Sequence, residues 1–256
     1  MVVTGASMGI GEAIAKLFVD HGASVVLLSR DLGRAEAARA RVGHSERTLA
    51  LACDVRRREE IEQVVNFTVR QFQRIDVWIN NAGHGILDSI ANVDMAGCRE
   101  TFETNLFGTI EAMQAVIPVM KQQESGAIIN VSSVAGHIPV PFMGIYSATK
   151  FAMNAMGKAA RVELKQFGIN VTTVCPGYVR TEFGANALRG KELKQVRPQS
   201  VRGISAERVA QALLNGYLRR KREVVVPWTM IPVIKLYQLF PGLVETAMTK
   251  MARQRT

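Results

Sequence analysis

The stretch Val2-Val3-Thr4-Gly5-Ala6-Ser7-Met8-Gly9-Ile10-Gly11 decides the fold of this chain. A β-like run is followed by a turn with glycines at positions 5, 9 and 11 and then by residues 12–18, which have helical apolar spacing. Glycine lets the backbone turn tightly and approach a pyrophosphate, which rests on a helix N-terminus. The G-x-x-x-G-x-G spacing departs from the G-x-G-x-x-G dinucleotide fingerprint but has its strand–turn–helix context. The sequence therefore predicts a dinucleotide site, and a glycine-rich turn without a nucleotide is the alternative.

A second informative stretch is Gly144-Ile145-Tyr146-Ser147-Ala148-Thr149-Lys150, in which Tyr146 and Lys150 are four residues apart. On a helix, residues i and i+4 share a face, so the Lys150 ammonium can lie near the Tyr146 phenol and favour its deprotonated form. Ser133 precedes Tyr146 by thirteen residues. The set indicates acid–base chemistry on a carbonyl group if a hydride carrier binds nearby. A chance Y-x-x-x-K on a surface helix is the alternative.

These stretches and several others resemble, in order and spacing, the short-chain dehydrogenase/reductase family. The matching motifs are T-G-A-S-M-G-I-G at 4–11, Asp54-Val55, N-N-A-G at 80–83, Asn105, Ser133, Tyr146 with Lys150, and Pro176-Gly177 with Thr181. The resemblance covers nearly the whole chain and loses specificity after about Thr181. It implies an α/β fold that is Rossmann-like, with a doubly wound parallel sheet, three layers and a single domain. It also implies an oxidoreductase of the alcohol dehydrogenase or carbonyl reductase type.

The resemblance implies a catalytic tetrad of Asn105, Ser133, Tyr146 and Lys150. Tyr146 would protonate the developing alkoxide during reduction, or act as the base in the reverse direction. Lys150 would hold the nicotinamide ribose hydroxyls and, with the charged oxidised ring, lower the pKa of Tyr146. Ser133 would hydrogen-bond the substrate oxygen, with Ser132 as the competing serine. Asn105 would hold a water that links Lys150 to solvent.

Contacts to a nicotinamide cofactor transfer from the family position by position. Asp54 is expected to accept the adenine amino group with Val55 packed on the ring, and Thr181 to fasten the carboxamide or the pyrophosphate. Asn81 either contacts the cofactor or cross-braces neighbouring strands, and both roles stay open. No metal site is expected. The expected cofactor-binding residues are Gly5, Ser7, Met8, Gly9, Ile10, Gly11, Ser29, Arg30, Asp54, Val55, Asn81, Ala82, Gly83, Tyr146, Lys150, Pro176, Gly177, Val179 and Thr181.

The choice of cofactor depends on the end of the second strand, where Ser29 and Arg30 follow four apolar residues. An acidic residue there would repel a 2′-phosphate, whereas a hydroxyl and a guanidinium suit one. The family resemblance implies NADP, with NADPH preferred over NADH. Met8 stands where many NADPH-preferring relatives carry a basic residue, and Asp31 could offset Arg30 if it turned inward. A solvated loop charge is the alternative for Arg30.

Alternating β-like and helical stretches indicate a parallel sheet with crossover helices. Beside a short first strand, the predicted strands are Val25–Leu28, Thr48–Ala52, Val77–Ile79, Ala127–Val131, Asn170–Val174 and Glu223–Val226. The clearest predicted helices are Arg58–Phe72, Leu106–Gln122, Ser147–Phe167 and Ala206–Leu218. Residues 1–226 are expected to form the dinucleotide-binding and catalytic domain, with a substrate lid at about 183–203. Residues 227–256 are expected to be an apolar and basic extension of it.

Composition bounds the class of protein. The chain has 256 residues, 48% of them hydrophobic, which suffices for a sizeable core in one α/β domain. Three cysteines without a C-x-x-C pair indicate a reduced, cytoplasmic protein with buried thiols. A net charge of +10 is dispersed, and no nucleic-acid motif is present, so nucleic acid is a poor partner. A homodimer or homotetramer is expected from the family.

The substrate is expected to be an apolar carbonyl compound, because residues 86–87, 138–143 and 178–179 are mainly apolar. His84 and His137 are interpreted as loop histidines near the pocket rim, with a catalytic role as the alternative. The lid region carries basic residues that could recruit an acidic substrate such as a carrier-bound thioester, although a solvated face is the simpler interpretation. Those residues are Arg189, Lys191, Lys194, Arg197 and Arg202.

The C-terminal stretch 227–244 is strongly apolar but interrupted by Lys235, Gln238 and Pro241, which makes it too broken and short to span a membrane. With Lys250 and further basic residues beyond it, the stretch resembles an interfacial segment that could lie on an anionic membrane. Packing over the substrate mouth or a neighbouring subunit is the equal alternative.

The sequence thus predicts an NADPH-dependent oxidoreductase acting on the carbonyl or secondary alcohol of a ketone, lipid-like or steroid-like substrate. A 3-oxoacyl-thioester reductase of the same family is one alternative. A nucleotide-sensing protein without turnover is another, but a pure binder has no chemical need for the Tyr146 phenol.

Overall fold

The sheet begins with the stretch that precedes the glycine turn. In the computed structural model, which describes residues 1–190 and 203–253, nine strands are present. They are β1 (Val2–Val3), β2 (Val25–Ser29), β3 (Thr48–Ala52), β4 (Val77–Asn80), β5 (Ile86–Leu87), β6 (Gly126–Val131), β7 (Ile169–Pro176), β8 (Leu188–Arg189) and β9 (Glu223–Val226).

Seven strands form one parallel sheet in the order β3-β2-β1-β4-β6-β7-β9. The chain winds outward from β1 to β3 and then returns to β4 on the other side of β1, where Val3 pairs with both Leu27 and Ile79. Ligands in open α/β sheets bind outside the carboxyl ends of the strands at such a reversal of strand order. The glycine turn at Gly5 leaves β1 at this point.

Helices connect the strands and cover both faces of the sheet. Their bounds are α1 (Gly9–Asp20), α2 (Leu32–Val42), α3 (Arg58–Phe72), α4 (Met95–Phe102), α5 (Gly108–Gln122), α6 (Gly144–Leu164), α7 (Ala206–Leu218), α8 (Met230–Leu239) and α9 (Pro241–Arg253). A π-helical turn (Glu103–Phe107) joins α4 to α5, and 3₁₀ turns occupy Val134–Gly136 and Lys165–Phe167.

Two apolar clusters, one on each face, give the three layers. Successive strand residues point to opposite faces, so Val3 packs with Ile14 of α1 and Leu213 of α7, whereas Val2 packs in the other cluster. That second cluster contains Trp78 of β4 and residues of α3, α5 and α6. Strands that are buried on both faces explain why β2 and β4 are apolar runs rather than alternating patterns. The predicted Rossmann-like, doubly wound fold is confirmed.

Several element boundaries differ from the predictions. The helix expected from Leu106 starts at Gly108 because the π-helical turn precedes it, and the helix expected from Ser147 starts at Gly144. Tyr146 therefore lies in the first turn of α6. The sequence did not single out α2, α4, β5 or β8, of which the two strands are only two residues long.

The two-residue strands β5 and β8 pair in parallel and tie the start of the predicted lid to the loop after β4. The backbone N–H of Leu188 donates to Gly85, and that of Gly190 donates to Leu87. The remainder of the predicted lid at 191–202, with Lys191, Lys194, Arg197 and Arg202, lies outside the described residues.

The apolar C-terminal stretch forms α8 and α9. One side of α8 buries Ile234 against Val134 and Ile138, next to Ser133. The other side is exposed, and its large apolar residues and those that flank it are Trp228, Ile231, Val233, Leu236, Leu239, Phe240 and Leu243. Within residues 1–190 and 203–253, none of the helices has the length and apolar character needed to cross a bilayer.

Candidate active site

Tyr146 and Ser133 meet at the carboxyl edge of the sheet. Tyr146 is buried, the Ser133 hydroxyl lies near enough to its phenol to lower the phenol's pKa, and its ring packs against Phe183 with 5.5 Å between the ring centroids. Ser133 follows β6, and its hydroxyl accepts from Ala135 N at 3.0 Å and donates to the Pro176 carbonyl at 3.4 Å. These contacts fix the Ser133 hydroxyl beside the Tyr146 phenol.

Ser132, the competing serine, is turned away from Tyr146. Its side chain is buried, and its hydroxyl donates to the backbone oxygen of Lys150 at 3.3 Å. The structure therefore brings Ser133 to the phenol and gives Ser132 a bracing contact between β6 and α6.

Lys150 lies one turn after Tyr146 on α6, as the i, i+4 spacing predicts. Its ammonium donates to the Val131 carbonyl at 3.0 Å and lies 5.7 Å from the Tyr146 ring centroid. A Cβ placed on Gly83 would approach the Lys150 Nζ at 3.8 Å and the Asn105 Oδ1 at 2.9 Å. The loop after β4 and the Lys150 ammonium therefore share one narrow space.

Asn105 lies in the π-helical turn and is fully buried. Its amide donates to the His84 carbonyl at 2.9 Å and to Thr149 Oγ1 at 3.2 Å, while its Oδ1 accepts from His84 N at 2.9 Å. Its carbonyl accepts from Thr109 Oγ1 at 3.0 Å. Asn105 therefore braces the loop after β4 against α6, and its side-chain atoms are already engaged by protein groups.

The glycine turn packs against the end of β4. Gly5 has φ +62°, and a Cβ there would come within 2.8 Å of the Ala82 Cα. Gly9 has φ +59°, and a Cβ there would come within 3.2 Å of the Thr181 Cγ2. Both positions thus need a left-handed backbone and a close approach, which only glycine provides without strain. Ile10 and Gly11 form the first turn of α1.

The N-terminus of α1 has free donors. Met8 occupies the N-cap position, but its side chain makes no capping hydrogen bond. The Ser7 carbonyl accepts a hydrogen bond from Arg41 Nη2 at 3.0 Å, and this bond holds the glycine turn in place. An uncapped helix N-terminus after a glycine turn fits a bound anionic group such as a pyrophosphate.

The Asn81 side chain is a cross-brace. Its amide donates to the Thr4 carbonyl at 3.0 Å and to the Gly5 carbonyl at 2.9 Å. The backbone N–H groups of Asn81 and Ala82 both donate to Thr4 Oγ1 at 2.9 Å. Of the two roles left open, this geometry gives the amide nitrogen the bracing one, and Gly83 is the exposed member of the loop.

At the end of β2, Ser29 is buried and Arg30 is exposed. Asp31 caps α2, since its Oδ1 accepts from Arg34 N at 2.8 Å. The Asp31 carboxylate is thereby oriented by the helix N-terminus, so it is not turned inward against Arg30. This removes one of the two features that opposed a 2′-phosphate site.

Asp54 does not present a free carboxylate. Arg56 donates to it from Nε at 2.9 Å and from Nη2 at 2.6 Å. Burial raises the pKa of Asp54, but the hydrogen bonds from Arg56 outweigh burial and lower it overall. An adenine amino group would therefore share this carboxylate with Arg56. Val55 is buried and packs against Gly108 at the start of α5.

The segment after β7 closes the site on the remaining side. Pro176 pairs with Val226 of β9, and the Gly177 N–H donates to the Val226 carbonyl at 2.8 Å. Val179 bridges to Ile204. Thr181 reaches the glycine turn at Gly9, so the structure brings this predicted cofactor residue to the N-terminus of α1.

Comparison with known proteins matches this arrangement to a family. A family model described as short chain dehydrogenase covers residues 1–192. The chain belongs to the short-chain dehydrogenase/reductase family. The resemblance inferred from the motifs is confirmed.

Similar proteins of this family extend over nearly the whole chain. The mouse protein named dehydrogenase/reductase SDR family member 7B is 32% identical over 99% of this chain and 81% of its own length. A short-chain dehydrogenase from Sphingobium yanoikuyae, solved with NADPH, is 28% identical with a TM-score of 0.79, covering 97% of this chain and 94% of its own. A 3-ketoacyl-(acyl-carrier-protein) reductase from Brucella melitensis, solved with NADH, is 26% identical with a TM-score of 0.78, covering 88% and 95%.

In this short-chain dehydrogenase/reductase, burial raises the pKa of Tyr146 to about 12, although the nearby Ser133 hydroxyl lowers it in part. Burial also lowers the pKa of Lys150 to about 8. In the chain without cofactor, desolvation thus acts against both charged forms. The expected lowering of the Tyr146 pKa, which depends on Lys150 together with the charged oxidised ring, stays a prediction. The phenol is protonated at neutral pH.

Sequence reasoning missed two residues at the site. Phe183 packs against Tyr146 with the two rings tilted by 59°. Arg34 Nη2 lies 3.7 Å from the Met8 sulfur, at a cavity of about 880 Å³ beside the glycine turn. Arg34 thus places a guanidinium beside Met8, the position at which many NADPH-preferring relatives carry a basic residue. The signal was its place in the first turn of α2, three residues after the Asp31 cap. No local pattern marked Phe183.

Proposed function

We propose that this protein is an NADPH-dependent oxidoreductase that transfers a hydride between the nicotinamide and a carbonyl or secondary alcohol of an apolar substrate. The observation that carries the proposal is the placement of the Ser133 hydroxyl next to the Tyr146 phenol, beside the buried ammonium of Lys150. A protonated phenol, a fixed hydroxyl and an ammonium in one cleft are the groups that carbonyl reduction needs.

The cofactor-binding set proposed from the sequence fits a dinucleotide. The uncapped N-terminus of α1 suits the pyrophosphate, Ser29 and Arg30 suit the 2′-phosphate, and Thr181 lies at the glycine turn. Gly83 leaves open space next to Lys150, where a side chain would crowd the ammonium. When bound, the nicotinamide supplies or accepts the hydride.

The residues of the chain do the remaining chemistry. Tyr146 donates its hydroxyl proton to the substrate oxygen during reduction and takes it back during oxidation. Ser133 hydrogen-bonds the same oxygen and stabilises its developing charge. Lys150 binds the ribose hydroxyls, and Asn105 holds the loop after β4 in the position that leaves room for them.

Apolar walls support an apolar substrate of the ketone, lipid-like or steroid-like type. Phe183 packs against Tyr146, and the segments after β4 and β7, at the same edge of the sheet, carry the apolar Ile86 and Tyr178. A second candidate is reduction of a 3-oxoacyl thioester on an acidic carrier. The net charge of +10 and the position of Arg189 in β8 favour this candidate, because they would attract an acidic partner.

A substrate panel tests the function. Purified protein is mixed with ketones, 3-oxoacyl thioesters or steroids, and the oxidation of NADPH and NADH is followed by absorbance. We expect turnover with apolar ketones and higher kcat/KM with NADPH. Tight binding of NADPH without turnover of any member would favour the nucleotide-sensing alternative instead.

The cofactor preference is tested at the end of β2. Arg30→Ala is expected to weaken NADPH binding by roughly 1.5–3 kcal/mol, the range for a charge-assisted hydrogen bond, while NADH binding barely changes. Ser29→Asp should go further, since its carboxylate repels the phosphate and accepts from the NADH ribose. The measurement is kcat/KM with each cofactor for wild type and both variants.

Arg74→Ala is the matched control for that test, because the Arg74 side chain is 59% exposed and lies just before β4, at the edge of the sheet opposite to Arg30. It should leave both cofactors unaffected. A wild type that prefers NADH, or equal weakening of both cofactors in Arg30→Ala, would contradict the assignment.

We also propose that the exposed face of α8 contacts an anionic membrane surface peripherally. Its apolar residues are unpartnered in the described chain, and the net charge of +10 complements anionic lipid. Flotation with anionic and neutral vesicles tests this, with Leu236→Glu as the variant that should stay unbound. Equal flotation of wild type and variant would oppose membrane contact.

Two smaller proposals complete the picture. The protein is expected to form a homodimer or homotetramer, for which α6 exposes Phe151 and Val162. Light scattering on the peak that elutes from a sizing column measures the mass, and a monomer would refute the oligomer.

A cytoplasmic location is consistent with three free thiols, and fractionation of cells tests it.

A further inference from the structure

Behind the active site lies a buried cluster that the proposed reaction does not use. His137 follows the turn that begins at Ser133, Cys175 is near the end of β7, and Glu223 begins β9. One nitrogen-, one sulfur- and one oxygen-bearing side chain thus converge from three segments, and their ligand atoms lie within 4.8 Å of one another. His137 and Cys175 are buried, and Glu223 is partly exposed.

Hydrogen bonds alone satisfy this cluster poorly. His137 Nε2 is 3.4 Å from Cys175 Sγ, 3.4 Å from Glu223 Oε2 and 3.3 Å from Asn154 Nδ2. A ring nitrogen either donates one hydrogen or accepts one. The carboxylate requires it to donate, whereas the Asn154 amide requires it to accept, so these contacts cannot all be good at once.

The spacing suits a metal ion. In a tetrahedral zinc site with ordinary ligand bonds, a ligating nitrogen and sulfur lie roughly 3.5 Å apart, and a nitrogen and a carboxylate oxygen roughly 3.4 Å apart. The observed separations from His137 Nε2 are 3.4 Å to Cys175 Sγ and 3.4 Å to Glu223 Oε2. Zinc accepts this mixed set of imidazole, thiolate and carboxylate ligands.

We propose that His137, Cys175 and Glu223 form a site for one Zn²⁺ ion per chain. The ion enters from the side where Glu223 reaches solvent, and water fills the fourth position. His137 ligates through Nε2 as the neutral imidazole. The Cys175 thiol loses its proton to solvent as the sulfur–zinc bond forms, so charge and atoms balance. This site is independent of the proposed reductase activity and revises the expectation that the protein has no metal site.

The position of the ion would link the cluster to the catalytic serine. Cys175 precedes Pro176, whose carbonyl accepts the Ser133 hydroxyl, and His137 lies four residues after Ser133. An ion at this point ties β7, β9 and the loop after β6 together behind the Tyr146 phenol. Burial raises the pKa of Cys175, so the thiol is protonated until a metal displaces that proton.

Metal content of the purified full-length chain tests the proposal. The protein is stripped with a chelator, dialysed against Zn²⁺ and analysed by mass spectrometry for bound zinc. We expect one zinc per chain in wild type and background content in Cys175→Ser and His137→Gln. The matched controls are Cys53→Ser and Cys98→Ser, which remove buried thiols elsewhere, and His44→Gln, which removes an exposed histidine beside Asp20 and Glu46. Each control should retain one zinc.

A second measurement covers the case in which the site variants do not fold. Titration of stripped wild type with Co²⁺ should saturate at one ion per chain and give both a sulfur-to-cobalt charge-transfer band and the visible bands of a tetrahedral site. Wild type that keeps no zinc, zinc that persists in Cys175→Ser, or bound Co²⁺ without the sulfur band would overturn the proposal. The cluster would then be a hydrogen-bonded network only.

Discussion

Replacing Tyr146 with phenylalanine is expected to lower turnover on the order of 10²-fold or more, the range for losing a positioned general acid. The ring would keep its packing on Phe183, so the fold and NADPH affinity should change little. Because burial raises the pKa of Tyr146 to about 12, the wild-type hydroxyl is protonated at neutral pH and ready to donate. Steady-state kcat with the best ketone of the panel measures the loss.

The control is Tyr237→Phe, which removes a hydroxyl that contacts Glu245 at 3.4 Å, far along the chain in α8. It should keep full turnover. The raised pKa of Tyr146 also predicts a pH dependence for wild type. Alcohol oxidation needs the deprotonated phenol, so the rate of oxidation should rise with pH. Retained turnover in Tyr146→Phe would refute the assigned proton donor.

Replacing Lys150 with methionine is expected to reduce both turnover and cofactor affinity, because two roles converge on one ammonium. Methionine keeps an unbranched buried chain but cannot bind ribose hydroxyls or support the phenol. Losing charge-assisted hydrogen bonds to the ribose should weaken NADPH binding about 10- to 100-fold, and kcat should fall further. Fluorescence titration gives the Kd, and steady-state assays give kcat.

Lys165→Met serves as the control, since Lys165 is exposed in the 3₁₀ turn that precedes β7, at the opposite edge of the sheet from the proposed cofactor site. The two readouts separate the roles of Lys150. A fall in kcat with unchanged NADPH affinity would show that the ammonium does not hold the ribose, and an unchanged kcat would show that it does not assist the phenol.

The layers of the fold could be predicted because apolar runs and helical periodicity follow directly from burial. Strands such as β2 and β4 are buried on both faces, so their sequences are continuous apolar runs. The strands β5 and β8 could not be predicted, since two residues carry no period. The π-helical turn was also invisible, because one inserted residue changes the helix register without changing the composition.

The proximity of the candidate catalytic residues could be predicted from spacing, because Tyr146 and Lys150 lie on one helix and Ser133 follows a strand of the sheet that this helix covers. The environment of these residues could not. Desolvation depends on packing from distant segments, and in the chain without cofactor it raises the pKa of Tyr146. The ion pair between Arg56 and Asp54 could not be predicted either, because the sequence does not show which of several neighbouring charged side chains pair.

The short pairing of β5 with β8 affects how easily this edge of the molecule can open. Two backbone hydrogen bonds, from Leu188 to Gly85 and from Gly190 to Leu87, hold the described start of the predicted lid. Each contributes only about 0.5–1.5 kcal/mol net, so this edge can detach without unfolding the sheet. For the proposed reductase, we expect this edge to open before the product leaves. Amide hydrogen exchange at Leu188 and Gly190 would measure the rate at which this edge opens.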